Sequence, residues 1–348
     1  MLAGKSYVPL LKTKIAELEA YRNLSSQTKE LIFPIFLLRP WPNANHLSLA
    51  ITKIKDAVAG HSFGLGLDDE RYRATSGKPA QSEFDALFSG DAGYRNFYEF
   101  LRDIDDAVPV LRPTRDANEL LLQLGNAENL DRGLVVYQNR QSLIPISDSI
   151  AAAPPLIHDT IFVVDAGWSR DLPQMQAWAH PIVQRIVDAV PDAEIVVMSS
   201  SFPDSFAHIV GNSEEVAHEH GVFSAVRQQV QSADLTFGDW ASTRMSQNGG
   251  GGSIPSRIDI PRSNSWQIFR EDPNNDLGFL NVANAVQSHE CFISTPHCWG
   301  RMQVAATDGN GSGITGTKAN TSARINMHMT IQSGATNTID TDERPYED

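Results

Sequence analysis

Cysteine is scarce in this 348-residue chain: Cys291 and Cys298 are its only two. With no second pair to complete a tetrahedral zinc site and no array of half-cystines, neither a structural zinc nor a disulfide framework is expected. A reducing, cytoplasmic setting is the simpler reading. No stretch approaches the ~18 apolar residues that a membrane span needs. The apolar run in MLAGKSYVPLLKTK, at the N-terminus, is too short for a secretory h-region. Basic side chains are outnumbered, 28 Lys and Arg against 42 Asp and Glu, for a formal charge of -14. A surface of that sign argues against non-specific adhesion to nucleic acid or anionic lipid, and leaves room for a local basic site. Gly-rich phosphate loops are missing too. YVPLLKTKIAE has no glycine, and TDGNGSGITG is followed by no GKS or GKT at the required spacing.

What is present is a globular composition, 41% hydrophobic and 20% charged, arranged as short apolar runs. There are eight: YVPLLK (7–12), LIFPIFLLR (31–39), FGLGLDD (63–69), VPVLRPT (108–114), LVVYQNR (134–140), TIFVVDAG (160–167), EIVVMSSS (194–201) and LTFGDWA (235–241). Between most of them lie segments with helical spacing, such as HLSLAITKIKDAVAG, NELLLQLGNAENL and SEEVAHEHGVFSAVRQQVQ. In QMQAWAHPIVQRIVDAV, Trp178, Ile182, Ile186 and Val190 form one stripe, and Pro181 suggests a kink or a split. Strands that alternate with helices pair in parallel through right-handed crossovers, and continuous apolar runs suit strands covered on both faces. Residues 1–241 are therefore expected to form an α/β, TIM-type (β/α)8 barrel. An open doubly wound sheet is the alternative, but it would carry the absent glycine fingerprint. Residues 242–348 read as a C-terminal α+β appendage packing on the barrel. It would have a helix at GFLNVANAVQSH, strands at ECFIS and ARINMHM, flexible loops near 246–254 and 307–322, and a frayed acidic tail.

Barrel active sites lie at the C-terminal ends of the strands, so the polar residues closing each apolar run are the site candidates. They are Lys12, Lys14, Arg39, Asp68, Asp69, Glu70, Arg112, Asn139, Arg140, Asp165, Ser199 to Ser201, and Asp239. Two chemistries suit such a mouth. Lys12, Lys14, Arg39, Arg112 and Arg140 would hold a phosphate or another anion. Asp68, Asp165 and Asp239 would hold Mg²⁺ and position a phosphoester for attack by water, with Asp239, Lys12 and Asp165 as the catalytic groups. The plainer alternative is that these charges form structural ion pairs and helix caps. Asp239 in particular would meet Lys12 or Lys14 if its strand closes against the first. The TDGNGSGITG loop reads either as a mobile surface loop or as a lid over the mouth.

Four segments, YVPLLKTKIAELEAY, FGDWAST, PSRIDIPRSNSWQIFR and ARINMHM, resemble the Beta protein family of phage and bacterial genomes, in order along nearly the whole chain. Departures are the paired aspartates of FGLGLDD, where a single one is expected, and a loose match over 292–320. The resemblance implies a role in phage–host conflict, with a companion nuclease or a phage protein as partner, and it identifies no catalytic residue. The positions it carries over are Lys12, Lys14, Asp239, Arg257, Trp266, Arg324 and His328, with Arg257, Trp266, Arg324 and His328 as further ligand-binding candidates. Two functions stay open: an enzyme acting on a phosphate-bearing or nucleotide ligand, or a non-catalytic recognition module using Trp266 and Trp299 as anchors.

Overall fold

A computed structural model of the chain describes residues 1–69, 78–144, 146–153, 159–231, 233–244 and 255–340. The expectations for Glu70, for the GGGGS tip at 249–253 and for the tail past 340 lie outside these residues. Each of the eight apolar runs forms a parallel strand. The first seven are β1 (Tyr7–Lys12), β2 (Ile35–Leu38), β3 (Phe63–Leu67), β4 (Ala107–Pro109), β5 (Leu134–Asn139), β6 (Thr160–Trp168) and β7 (Glu194–Ser200). A short strand, β8 (Gly211–Val216), intervenes before the eighth barrel strand, β9 (Leu235–Asp239).

The hydrogen-bonded order is β4-β3-β2-β1-β9-β7-β6-β5, and a parallel bridge between Val110 and Val135 brings β4 to β5. The sheet is thus a nearly closed eight-stranded barrel whose last strand pairs with its first, Tyr7 opposite Phe237 and Pro9 opposite Asp239. Side-chain alternation sorts each strand into two faces. Val8, Leu10, Ile35, Val108, Val135, Val163 and Val196 fill the barrel interior. Tyr7, Leu11, Phe36, Leu65, Val136, Val164, Val197 and Phe237 instead pack under the helices. Gly238 faces inward at the closing seam. A Cβ there would lie 2.8 Å from the Val8 carbonyl oxygen and 2.9 Å from Val196 Cγ1, so only glycine lets β1 and β9 approach this closely.

A three-stranded antiparallel sheet of β10 (Arg257–Pro261), β11 (Ser265–Arg270) and β8 stands beside the barrel. Its β8 corrects one sequence expectation: the SEEV of SEEVAHEHG is strand rather than helix, and the helix begins at Glu219. The side chains of Gly211–Val216 alternate between exposed and half-buried, the period of two of a strand, and the segment pairs with β11. Leu172–Ala189 is a single helix through Pro181. Its buried stripe is Met175, Ala179, Val183, Ile186 and Val187, with Trp178, Ile182 and Val190 at the stripe's flanks.

ECFIS and ARINMHM are also helical rather than extended, lying in the helices Glu290–Ser294 and Thr317–Ser333. The alternation in ARINMHM has a physical source. Ile325 and Met329, four residues apart, enter the barrel core, while Ala323 and Met327 enter a second core with Ile258, Ile260 and Val304. A helix buried on two sides carries two apolar stripes, and over seven residues these imitate a strand's period. The polar residues between the stripes are bonded. Asn326 Nδ2 donates to the carbonyls of Ala20 (2.9 Å) and Asn23 (3.1 Å), and its Oδ1 accepts from Gly300 N–H at 2.8 Å. Ser322 Oγ reaches Glu19 at 2.9 Å, and Gln332 lies 2.7 Å from His220. Thr317–Ser333 therefore occupies the eighth helical position of the barrel, between Ile15–Arg22 and Glu219–Gln229, although it follows the division at 241/242. Residues 307–316 fold onto this helix's second core through Ile314, and none of them lines the barrel mouth.

Asn326→Ala leaves two carbonyls and one N–H unpaired in buried surroundings. It is expected to cost about 3 kcal/mol, read as a lowered urea midpoint with an unchanged slope.

Candidate functional site

Continuing the inward face of each strand past its apolar residues places Lys12, Arg39, Asp68, Arg112, Asn139, Asp165, Ser200 and Trp240 around the C-terminal mouth. A cavity of about 330 Å³ opens there, floored by Leu10, Leu37, Gly66, Val110 and Tyr137 and walled by Trp240. Lys12, Asp68, Asp69, Arg112 and Asn139 line the same cavity. Gly66 keeps β3 against its neighbours, since a Cβ would meet Val110 at 3.1 Å.

The charges are organised by the residues just beyond the strands. Arg39 Nε pairs with the buried Asp68, and Lys12 Nζ stands 3.6 Å from the same carboxylate oxygen. Thr13 clamps the end of β2, accepting from Arg39 N–H at 2.6 Å and donating to Arg39 O at 3.0 Å. Arg112 reaches Asp69 at 2.6 Å and lies over the Phe88 and Tyr94 rings, 5.1 and 5.8 Å from their centroids. Lys14 sits at the start of the first helix, 3.9 Å from Glu17. Burial pushes the Glu17 carboxyl up, against the opposing pull of Lys14, Lys12 and Arg39. Arg140 turns to the rim, where it donates to Gln174 and to the Trp168 carbonyl.

Asp165 is fully buried and saturated with donors. Its Oδ2 accepts from Tyr137 Oη (2.5 Å), Asn139 Nδ2 (2.8 Å) and Trp240 Nε1 (2.9 Å), and its Oδ1 from Gly167 N–H (2.8 Å). Burial nevertheless raises its pKa. With both oxygens occupied, Asp165 braces the wall made by β5, β6 and Trp240.

Asp239 is turned away from the mouth. Lying one position before the inward Trp240, it points under the helices, where Tyr7 Oη donates to Oδ1 and His328 Nε2 lies 2.6 Å from Oδ2. Ala241 N–H donates to it at 2.6 Å, across a turn in which Ala241 and Ser242 have left-handed backbone (φ 48° and 58°). The expected contact with Lys12 or Lys14 is thus replaced by one with Tyr7, and His328 acts from a helix rather than from an added strand at the mouth. Burial alone would raise the Asp239 pKa; His328's charge and hydrogen bond, with Tyr7 and Ala241, hold it below the usual value. Nearby Glu219, bonded to Ser201 Oγ at 2.8 Å, is raised by burial and by Asp239.

Among the described residues no three His, Cys, Asp or Glu side chains stand together as a metal-binding group. Asp68, Asp165 and Asp239 accordingly lie apart. Cys291 and Cys298 are buried thiols, Cys291 pushed up to about 11 by desolvation. Away from the mouth, Arg257 and Arg324 flank Asp259 at 2.8 and 2.6 Å. Trp266 is buried, donating to Ser242 Oγ at 2.8 Å. The sequence reading overlooked Tyr137, Trp240 and Asp259; strand parity counted from Val135 leads to Tyr137 and counted from Gly238 to Trp240.

The fold and cavity define a (β/α)8-barrel protein with a mixed-charge mouth. The Beta protein family model matches residues 7–334, so the chain belongs to the Beta protein family, as its sequence segments suggest. It is 24% identical over 338 residues to "Protein beta" of Enterobacteria phage P4, covering 94% of this chain and 92% of that protein. No solved structure matches the chain. No helix among the described residues is long and apolar enough to cross a membrane.

The buried carboxylates pull pH dependence in opposite directions. Asp239, depressed in the folded state, contributes stability present above the unfolded value of ~4 and lost as pH falls through its folded value. Asp165 and Glu219, raised, contribute stability present below their unfolded values and lost as pH rises through the folded ones. Asp239→Asn should therefore flatten the acid limb of a stability–pH curve below pH ~4, whereas Glu219→Gln should leave that limb in place.

Proposed function

We propose that the barrel mouth binds a small phosphate-bearing ligand of nucleotide type, within a phage–host setting. The observation that carries this is one cavity of about 330 Å³ that combines Lys12 and Arg112 with the apolar and aromatic surfaces of Leu37, Val110, Tyr137 and Trp240. Ligand sites commonly have this size and this balance of apolar lining and few polar groups. Guanidinium and ammonium suit the phosphate, and the ring faces suit a base. The phage setting is supported by the likeness to the phage P4 protein. Binding, rather than hydrolysis by a three-carboxylate Mg²⁺ site, is the favoured role, because Asp165 is saturated and Asp239 points away from the cavity. Any Mg²⁺ would arrive on the ligand's phosphates.

A second reading, recognition of a companion nuclease or a phage protein, is favoured by β8. Among the described residues it pairs with β11 alone and stands at the edge of its sheet, with its own Val216 and the preceding Val210 exposed. Strand addition to such an edge is a recurrent way to bind a peptide segment.

Thermal-shift titration with nucleotides and inorganic phosphate, each with and without Mg²⁺, tests the first reading. At ~100 times its dissociation constant a ligand adds ~2.7 kcal/mol. Lys12→Ala and Arg112→Gln should each weaken the response about tenfold, the loss of one charge-assisted contact. A nucleotide shift undiminished in both variants, or no shift at all, contradicts mouth binding; the second case leaves the β8 reading.

A further inference from the structure

Beyond the mouth, the segments following β7 and β9 meet β10 and the C-terminal helix around a cluster of arginines. Arg244, just past β9, Arg257, opening β10, and Arg324, on the helix Thr317–Ser333, come from distant parts of the chain. Their guanidinium groups gather on two aromatic rings. Arg257 Cζ lies 3.5 Å and Arg244 Cζ 5.8 Å from the centroid of Phe206, and Arg324 Cζ lies 4.2 Å from that of Phe202. The two rings are 5.5 Å apart. A single buried carboxylate, Asp259, serves two of the arginines, with Oδ1 2.8 Å from Arg257 Nε and Oδ2 2.6 Å from Arg324.

Three cations stand around one buried anion, Asp259, with Asp204 near Arg244 as a second counter-charge, which still leaves an excess of positive charge in partly desolvated surroundings. Its cost is visible: burial pushes Arg324 down to about 10, and desolvation together with Arg257 lowers Arg244. Arg324 Nε is buried with no hydrogen-bond partner. Arg244 spends one N–H on the Asp204 carbonyl and is half-buried. A purely structural ion pair would need Asp259 and one arginine. The additional cations, spread over ring faces that hold them in place, are what a tetrahedral oxyanion requires, because several fixed forks can each meet an oxygen.

We propose that Arg244, Arg257 and Arg324 form a phosphate-binding site, with Asp259 as the residue that positions Arg257 and Arg324. The site is independent of the mouth cavity, whose lining includes none of the three. The phosphate is either the free ion or the ester group of a nucleotide.

Isothermal titration of the full chain with inorganic phosphate at low ionic strength tests the site. Arg244→Gln, made in an Arg112→Gln background that removes the mouth's own contribution, should weaken the remaining binding about tenfold. Arg257→Lys, which keeps the charge near Asp259 but gives up the fork, should weaken it as well, and circular dichroism matching the parent shows that each variant is folded. Parallel titration with ATP separates the sources: tighter binding that is still lost in Arg244→Gln assigns an ester phosphate, and equal affinity assigns the free ion. No phosphate heat from the parent chain, or unchanged affinity in Arg244→Gln, overturns the proposal. Loss of all phosphate heat in Arg112→Gln alone also overturns it and leaves the mouth reading standing.

Discussion

A carboxylate sealed under the last strand, Asp239, holds together the three parts of the chain that have to meet for this barrel to exist. Tyr7 reaches it from the first strand, His328 from the C-terminal helix, and Ala241 from the turn that carries the chain out of the barrel. A charge this deeply buried is tolerable only when its partners are complete, and removing one partner from such a pair typically costs ~3–5 kcal/mol. The contact therefore couples closure of the sheet to the docking of a helix some eighty residues later. It also explains an aspartate at the end of a core strand without assigning it a substrate.

The mouth follows from this closure. With β9 in register against β1, Gly238 lies against Val8 and Val196, and the next inward residue, Trp240, swings across to Asp165. Asp165 in turn gathers Tyr137 and Asn139, so the aromatic wall of the cavity is anchored through one saturated carboxylate. Opposite that wall stand Lys12, Arg39 and Asp68. Apolar faces on one side and organised charge on the other suit a ligand with both kinds of surface.

Much of this was legible from sequence because parallel strands covered on both faces are written as unbroken apolar runs, and all eight barrel strands have that form. The polar residues that close these runs include Lys12, Arg39, Asp68, Arg112 and Asp165, and alternation along the first strand puts Lys12 on the face of Val8 and Leu10. Asp239 escaped the count because the eighth run was read to its last acidic residue, whereas parity from Thr236 and Gly238 leads to Trp240. ARINMHM misled for a different reason: a helix packed between two cores loses the polar face by which helices are recognised, and its short period then matches a strand. The Arg257–Asp259–Arg324 arrangement joins residues sixty-five positions apart, which no local pattern shows; the family resemblance drew attention to Arg257 and Arg324 but not to the carboxylate between them.

Acidic overall, the chain gathers Lys12, Arg39 and Arg112 where the barrel opens and Arg257 and Arg324 where the antiparallel sheet meets it, so its net charge is compatible with the local phosphate recognition proposed for it. All of this rests on the seam. A double-mutant cycle on Asp239→Asn and His328→Gln, measured by urea unfolding at neutral pH, tests it most directly. The account predicts a coupling energy above ~1 kcal/mol, because each substitution alone strands the other's buried polar group. Effects that add within ~0.5 kcal/mol, as for independent sites, would contradict it.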